Sequence, residues 1–303
     1  WVAPNMYYLG YCSVVQFGGL RIGGISGIFK FYDAKLGHFE CLPYNKDTIR
    51  SVFHMRETEI YKLLQLTGKQ RSGPESSSGQ KAEGDLDGGS NADDNSKLAN
   101  RKAGLLDVFM SHDWPLNIDK CGNVHYLLKK KPYFRNEVNS GRLGNPLLEP
   151  LVRHIRPKHW FAAHLHVGYQ ATVDHPPSSE EEPPHCTQFQ SLDKVLPNRH
   201  FLQVFDIFPE QQQSSSNDSN TLTYDPEWLA ILKKTDHVMN VERQQVRGID
   251  IFNDQNRVQI TDEDIKEIYT LFNNDLKVPD NFSPCEPVTE RHVDSDPNRQ
   301  RTF

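Results

Sequence analysis

The stretch that most restricts the fold is Trp160-Phe161-Ala162-Ala163-His164-Leu165-His166-Val167, a short apolar run carrying two histidines one residue apart. Read as a buried strand, it turns alternate side chains to opposite faces, so His164 and His166 are predicted to share a side. Upstream, Leu105-Leu106-Asp107-Val108-Phe109-Met110 is a second apolar run, followed by Ser111-His112-Asp113-Trp114-Pro115. Two apolar strands that each deliver histidine at the carboxyl end describe an open α/β sheet with its site at the strand tips. An isolated His-x-His is more often a surface or hydrogen-bonded pair than a pair of ligands. A third histidine at a second strand tip favours a metal, and neutral imidazole suits zinc, iron or manganese.

Composition narrows this. Apolar residues make up 36% of the 303 residues and the mean hydropathy is -0.67, so part of the chain is expected not to pack. The net charge of -6 argues against a general basic coat for nucleic acid but leaves room for a local basic groove. Five cysteines, odd in number and without Cys-x-x-Cys spacing, favour a reducing compartment. No run is apolar and long enough to span a membrane, and no signal peptide opens the chain, so no membrane partner is expected. The chain opens on Trp1, and Val2-Ala3-Pro4-Asn5 reads as mid-protein sequence, so further sequence is expected upstream.

Taken in order, Ser13 to Phe17 and Leu20 to Ile25 flank Gly18-Gly19 and predict a hairpin. The glycines Gly23, Gly24 and Gly27 point to tight sheet packing rather than a phosphate loop, since no helix of the right spacing follows. Phe29 to Tyr44 interleaves aromatics with cations, a composition that serves either base stacking or a loop packed on itself. A helix is predicted through Ile49, Val52, Phe53, Ile60, Leu63 and Leu64, with Thr48 as its cap. From Gly68 to Arg101, Ser, Gly, Asp, Asn and Lys dominate, and a disordered insertion is expected. Asn and His in Cys121-Gly122-Asn123-Val124-His125 read as a polar loop entering a helix. Leu147 to Ile155 is predicted as a helix broken by Pro150, and Phe201 to Ile207 as an alternating strand. Beyond Pro209 a polar linker leads to two helices, one begun by Asp225-Pro226 and one by Thr261 with Asp264 three residues on.

The strings WVAPNMYYLG, RIGGISGIFK, GHFECLPYN, TIRSVFHMRE, SHDWP, HWFAAHLHV, LDKVLPNRHFLQV, YDPEWLAIL and NNDLKVP, from Trp1 to about Pro279, resemble the lariat debranching enzymes, a branch of the metallophosphoesterases. The resemblance implies an α/β protein, a four-layer α/β/β/α metallophosphoesterase sandwich incomplete at the N-terminus, over residues 1–208. A small, mainly helical C-terminal domain would cover residues 209–303. It implies a divalent metal, Fe(II), Zn(II) or Mn(II), with His112 and His164 at one position and His166 at the other. Ala163 stands where a general metallophosphoesterase has glycine. The segment from Phe29 through the following helix corresponds to the family's lariat-recognition segment, which makes His38, Phe39, Tyr44 and Arg50 candidate RNA contacts.

The family places three further motifs before WVAPN, an Asp- or Cys-x-His, a Gly-Asp and a Gly-Asn-His-Glu, and none stands there in this sequence; Gly84-Asp85 falls in the polar insertion and is given no chemical role. Those three motifs would carry the remaining ligands and the histidine that protonates the leaving oxygen, so no catalytic acid is expected within the chain, and the chain alone is expected to be inactive. The implied chemistry is hydrolysis of the 2′-5′ phosphodiester of excised intron lariats, in mRNA processing and intron turnover. Metal lowers the pKa of a water, and the hydroxide attacks phosphorus in line with the departing 2′ oxygen. Branched RNA is the implied partner, with a monomer in the nucleus. Two other classes stay open: another metallophosphoesterase, or a non-catalytic RNA-binding chain.

Overall fold

The computed structural model describes residues 1–68, 105–177, 184–209, 220–253 and 257–283. The expected insertion from Gly68 to Arg101 lies outside them but for Gly68 itself.

The centre is one seven-stranded mixed sheet. Its strands are β1 (Cys12–Phe17), β2 (Leu20–Ile25), β3 (Val108–Ser111), β4 (His159–Ala162), β5 (Tyr169–His175), β6 (His185–Ser191) and β7 (Thr223–Tyr224), in the order β5-β6-β4-β3-β2-β1-β7. β2, β3, β4 and β6 run parallel, while β1, β5 and β7 pair antiparallel at the flanks. The predicted hairpin is β1–β2, in register from Cys12–Ile25 to Phe17–Leu20. Phe109 and Trp160 lie side by side in the buried centre, ring centroids 4.4 Å apart. Gly23 sits opposite Phe109, and a Cβ there would stand 2.5 Å from Leu106 Cδ1, so the glycine is fixed by packing.

After β3 come α3 (Val124–Lys130), α4 (Arg135–Asn139) and α5 (Leu148–Ile155), of which α5 buries Leu148, Leu151, Val152 and Ile155, the stripe of an amphipathic helix. Pro150 does not break it. It lies in the first turn, where its missing N–H is not needed. The helix expected from Thr48 to Leu64 is two: α1 (Thr48–Ser51) and α2 (Glu57–Leu63), separated at an extended Arg56. Ile49 and Phe53 are exposed and belong to no core stripe, so the continuous periodicity was accidental. Arg56 is fully buried and spends its guanidinium on Glu40 at 2.7 Å and on the Ser51, His54 and Gly37 carbonyls, which a helix through this point would not allow. No strand forms over Phe201 to Ile207. The alternation there has no partner strand among the described residues, Leu202 and Val204 are solvent-exposed, and Phe205 packs on Phe161 of β4.

The C-terminal segments dock on the far edge. β7 adds to β1, and α6 (Pro226–Lys234) starts as predicted, with the Asp225 carboxylate accepting from Trp228 N at 3.0 Å. α7 (Asp262–Leu271) carries the predicted capping box between Thr261 and Asp264. Asp264 also takes Lys234 at 2.6 Å, joining α7 to α6. Beneath them the buried Arg21 guanidinium forms a bidentate pair with Asp225 (2.8 and 3.0 Å) and reaches Glu227 at 3.0 Å. Burial raises the Asp225 pKa, but Arg21 outweighs it and the carboxyl stays below its ordinary range. Removing one partner of so buried a network costs about 3–5 kcal/mol, because the other charge is left without compensation.

Candidate metal centre

β3 and β4 are adjacent and parallel, so their carboxyl tips stand side by side. One more ladder bond, from Ala163 N to His112 O at 3.0 Å, carries the pairing past both strands. Two indoles lock the tips in exchange. Trp160 Nε1 donates to Ser111 Oγ at 2.9 Å, and Trp114 Nε1 donates to Ala163 O at 2.9 Å. Trp114 is itself held by Tyr169 and Phe189 in the core. The local result is that the His112 and His164 rings meet at right angles, centroids 4.9 Å apart.

His164 and His166 do not alternate along a strand. β4 ends at Ala162, and both histidines take left-handed backbone conformations (φ 52° and 51°). Such conformations are costly for residues other than glycine and concentrate at functional sites. A tight turn from Leu165 N to Ala163 O at 2.7 Å accompanies them. Strand reasoning missed this because the apolar run Trp160 to Ala163 reads the same up to the residue where pairing stops. His166 is exposed, and among the described residues no group of three His, Cys, Asp or Glu side chains could hold a metal ion.

Asp113 is the residue that sequence reasoning passed over. Its carboxylate is buried, and Oδ2 accepts from Phe29 N at 2.7 Å and from Asn145 Nδ2 at 3.1 Å. Oδ1 lies 3.3 Å from His164 Nδ1 without hydrogen-bond alignment and has no other partner among the described residues. One side chain therefore joins the histidine loop to the first residue of the aromatic segment. Its place inside Ser-His-Asp-Trp-Pro, next to His112, was the available signal. His112 and His164 fit two donors of a metal position, and the bare Asp113 oxygen marks negative charge beside them. Desolvation, then the neighbouring His164, lowers the His112 pKa, which favours the neutral ring that a metal needs. His166 is lowered by slight desolvation, then by the Lys194 and Lys131 ammonium groups.

From His112 a pocket of about 430 Å³ runs along Ser111, Met110, Gly24, Ser26, Gly27 and Gly10 to Phe53. Gly27 has φ 103°, and a Cβ there would stand 2.8 Å from Phe53 O. Beyond Gly10, Tyr11 stacks on His38 with centroids 3.8 Å apart. His38 is not free: its Nε2 lies 3.0 Å from the buried Glu59 carboxylate. Phe39 is covered as well, with the Arg243 guanidinium 5.1 Å from its centroid and Arg56 at 5.9 Å. Tyr44 and Arg50 are exposed, as are Phe31 and Tyr32, which form an edge-to-face pair.

Comparison with known proteins bears on what this arrangement serves. Residues 184–302 match the model of the lariat debranching enzyme C-terminal domain. The chain is 42% identical to the lariat debranching enzyme of Gallus gallus, over 93% of this chain and 46% of that protein. It is 40% identical to the lariat debranching enzyme of Homo sapiens, over 100% of this chain and 50% of that protein. Over nearly all of its length the chain is similar to lariat debranching enzymes. The enzyme of that name from Mus musculus is 39% identical, over 96% of this chain and 47% of that protein. The chain thus spans about half the length of these family members. The family match beginning at residue 184 takes in β6.

Proposed function

We propose that this chain is part of a metal-dependent phosphodiesterase that hydrolyses the 2′-5′ branch of lariat RNA in intron turnover. The observation that carries the reading is the right-angle pairing of His112 with His164 at adjacent strand tips, in a chain whose relatives are lariat debranching enzymes. In this reading His112 and His164 are donors to one divalent metal, Fe(II), Zn(II) or Mn(II), and His166 serves a second position whose other donors lie outside the described residues. The single seven-stranded sheet is one half of a metallophosphoesterase sandwich, followed by the C-terminal domain.

A metal bound there supplies the Lewis acid that draws charge from the phosphoryl oxygens. The chain's own residues position it. Trp114 and Trp160 hold the two loops, and His112 presents a neutral imidazole near neutral pH. Asp113 fixes the start of the aromatic segment beside them. Exposed Phe31, Tyr32 and Tyr44 offer faces on which unpaired bases stack, and exposed Arg50 offers a phosphate contact. The protein acts as a monomer in the nucleus. The deciding experiment is cleavage of a synthetic 2′-5′ branched RNA by the full-length protein with added Fe, Zn or Mn, against linear RNA and an aryl phosphate. Equal turnover of all three substrates rejects the branch-specific reading and leaves a general phosphoesterase. Fluorescence of a tagged protein confined to the cytoplasm rejects the nuclear one.

A further inference from the structure

Arg243 lies in the C-terminal part of the chain, beyond the sheet, in a segment without regular structure. That segment is not loose against the aromatic loop. Gly37 N donates to Gln244 O at 3.1 Å, His38 N to Asn240 O at 2.8 Å, and Val246 N to Lys35 O at 2.9 Å. The fit leaves no room for a side chain: a Cβ on Gly37 would stand 2.5 Å from Asn240 O. Asn240 Oδ1 in turn accepts from Glu242 N at 2.8 Å, which shapes the turn leading into Arg243.

The turn lays the Arg243 guanidinium on Phe39, 5.1 Å from the ring centroid. The other arginine on that ring, Arg56, is buried and paired with Glu40. Arg243 is exposed, and among the described residues it has no carboxylate partner. A guanidinium stacked on an aromatic ring is pre-oriented, and its five donors match phosphate geometry. The pocket that includes His112 is lined also by Gly10, whose sequence neighbour Tyr11 stacks on His38, the residue before Phe39.

We infer that Arg243 is an RNA-binding residue, a phosphate contact that the C-terminal segment contributes to the surface carrying the aromatic loop. The inference rests on the proposed reading that this surface takes branched RNA. It assigns Phe39 a different part from base stacking: the ring is the platform that holds Arg243 in place. Lysine at 243 keeps the charge but loses the planar stacking, and glutamine keeps a polar chain without charge.

The test is fluorescence anisotropy of a labelled 2′-5′ branched RNA on the 303-residue chain across a salt series, with thermal melts of every variant. Arg243→Gln is expected to weaken binding several-fold and to lower the slope of log affinity against log salt by about 0.7, the loss of one single-strand phosphate contact. Arg243→Lys is expected to restore most of the slope. Arg142→Ala, an exposed arginine tied to Ser140, serves as control and leaves both unchanged. Wild-type binding with an unaltered slope in Arg243→Gln overturns the inference while the branched-RNA reading stands. Equal weakening in Gln and Lys variants with a parallel fall in melting temperature also overturns it, since the arginine would then only pack on Phe39. Absence of RNA binding by the wild-type chain overturns the inference, while cleavage of branched RNA by the full-length protein decides the reading beneath it separately.

Discussion

Trp114 donates its indole N–H to the carbonyl of Ala163, the residue before His164, across the gap between two strand tips. The bond ties the loop that follows His112 to the loop that carries His164. Trp114→Phe is expected to keep most of the stacking on Tyr169 and Phe189 while losing that donor, at a cost of about 0.5–1.5 kcal/mol for the one hydrogen bond, since Ala163 O keeps its bond from Leu165 N. The right-angle arrangement of the two imidazoles should loosen with it. The measurement is a thermal melt together with a Co(II) titration followed by visible absorption. A stable variant with unchanged Co(II) binding would show that the indole bond does not set the histidine geometry.

The two ends of the segment 69–104 sit beside one another. A Cβ on Gly68 would lie 2.5 Å from Leu105 Cδ2 and 3.6 Å from Leu105 Cα. Both ends are pinned by the same buried network: Thr67 N donates to Glu227 at 2.7 Å, and Leu105 O accepts from Arg21 at 2.9 Å. Joining Gly68 to Leu105 through a short Gly-Ser linker is therefore expected to leave the melting temperature within a few degrees, since closing a shorter loop costs little. A large drop would mean that the segment contributes packing.

His175 gives the pH dependence a sign. Thr187 donates its one hydroxyl proton to Pro157 O at 2.6 Å, so it must accept from His175 Nε2 at 2.7 Å, and the ring is a neutral Nε2–H tautomer. Desolvation, then His185 stacked at 5.5 Å, pushes its pKa down to about 4. The unfolded chain binds this proton near pH 6.5 and the folded chain only near 4, so stability is whole above that window and falls as pH drops through it. His175→Gln, which can keep a hydrogen bond to Thr187, is expected to flatten the decline of melting temperature between those two pH values. An unchanged acid slope would assign it to other groups.

Tyr44 and Arg50 are exposed and serve no interior contact that the described structure records, whereas His38 and Phe39 are committed inside the protein. Tyr44→Ala should therefore weaken branched-RNA binding by about 1–3 kcal/mol if a base stacks on it, with no change in melting temperature. Arg50→Ala should lower the salt dependence alone. His38→Ala should lower the melting temperature, because it strips the Glu59 carboxylate of its partner. If all three lower stability equally, the loop is a structural element and not an RNA surface.

The same contrast explains what was legible beforehand. The β1–β2 hairpin and the Asp225 and Thr261 caps are local patterns whose partners lie a few residues away, and they stand as read. The break at Arg56 is not local: its carboxylate partner is Glu40, across the aromatic loop. The Phe201 to Ile207 alternation predicted a strand, but alternation shows only that a strand could pair, not that a partner edge is present. Asp113 was visible as a residue and silent as a site, since its hydrogen bonds go to Phe29 and Asn145, far off in the chain. Phe39 looked like a free stacking ring because the arginine that covers it lies some two hundred residues on, at 243.

The last prediction concerns what two imidazoles can do. His112 and His164 converge, and among the described residues no group of three His, Cys, Asp or Glu side chains could hold a metal ion. A catalytic zinc site keeps three protein ligands, so this pair alone should hold metal weakly. The departing 2′ oxygen also needs a proton, and a general acid must lie within hydrogen-bond reach of it. The 303-residue chain is therefore expected to show weak Co(II) binding and no cleavage of branched RNA. In the full-length protein, His112→Ala and His164→Ala should each abolish turnover, and His166→Ala should do so only if a second metal position takes part. Because free metal at high concentration can fill a weak site, the assay is run with Mn(II) in excess as well as with Fe(II) and Zn(II) at low concentration. Robust turnover by the 303-residue chain under either condition would mean that its own residues complete the site. The two-donor account of His112 and His164 would then fall.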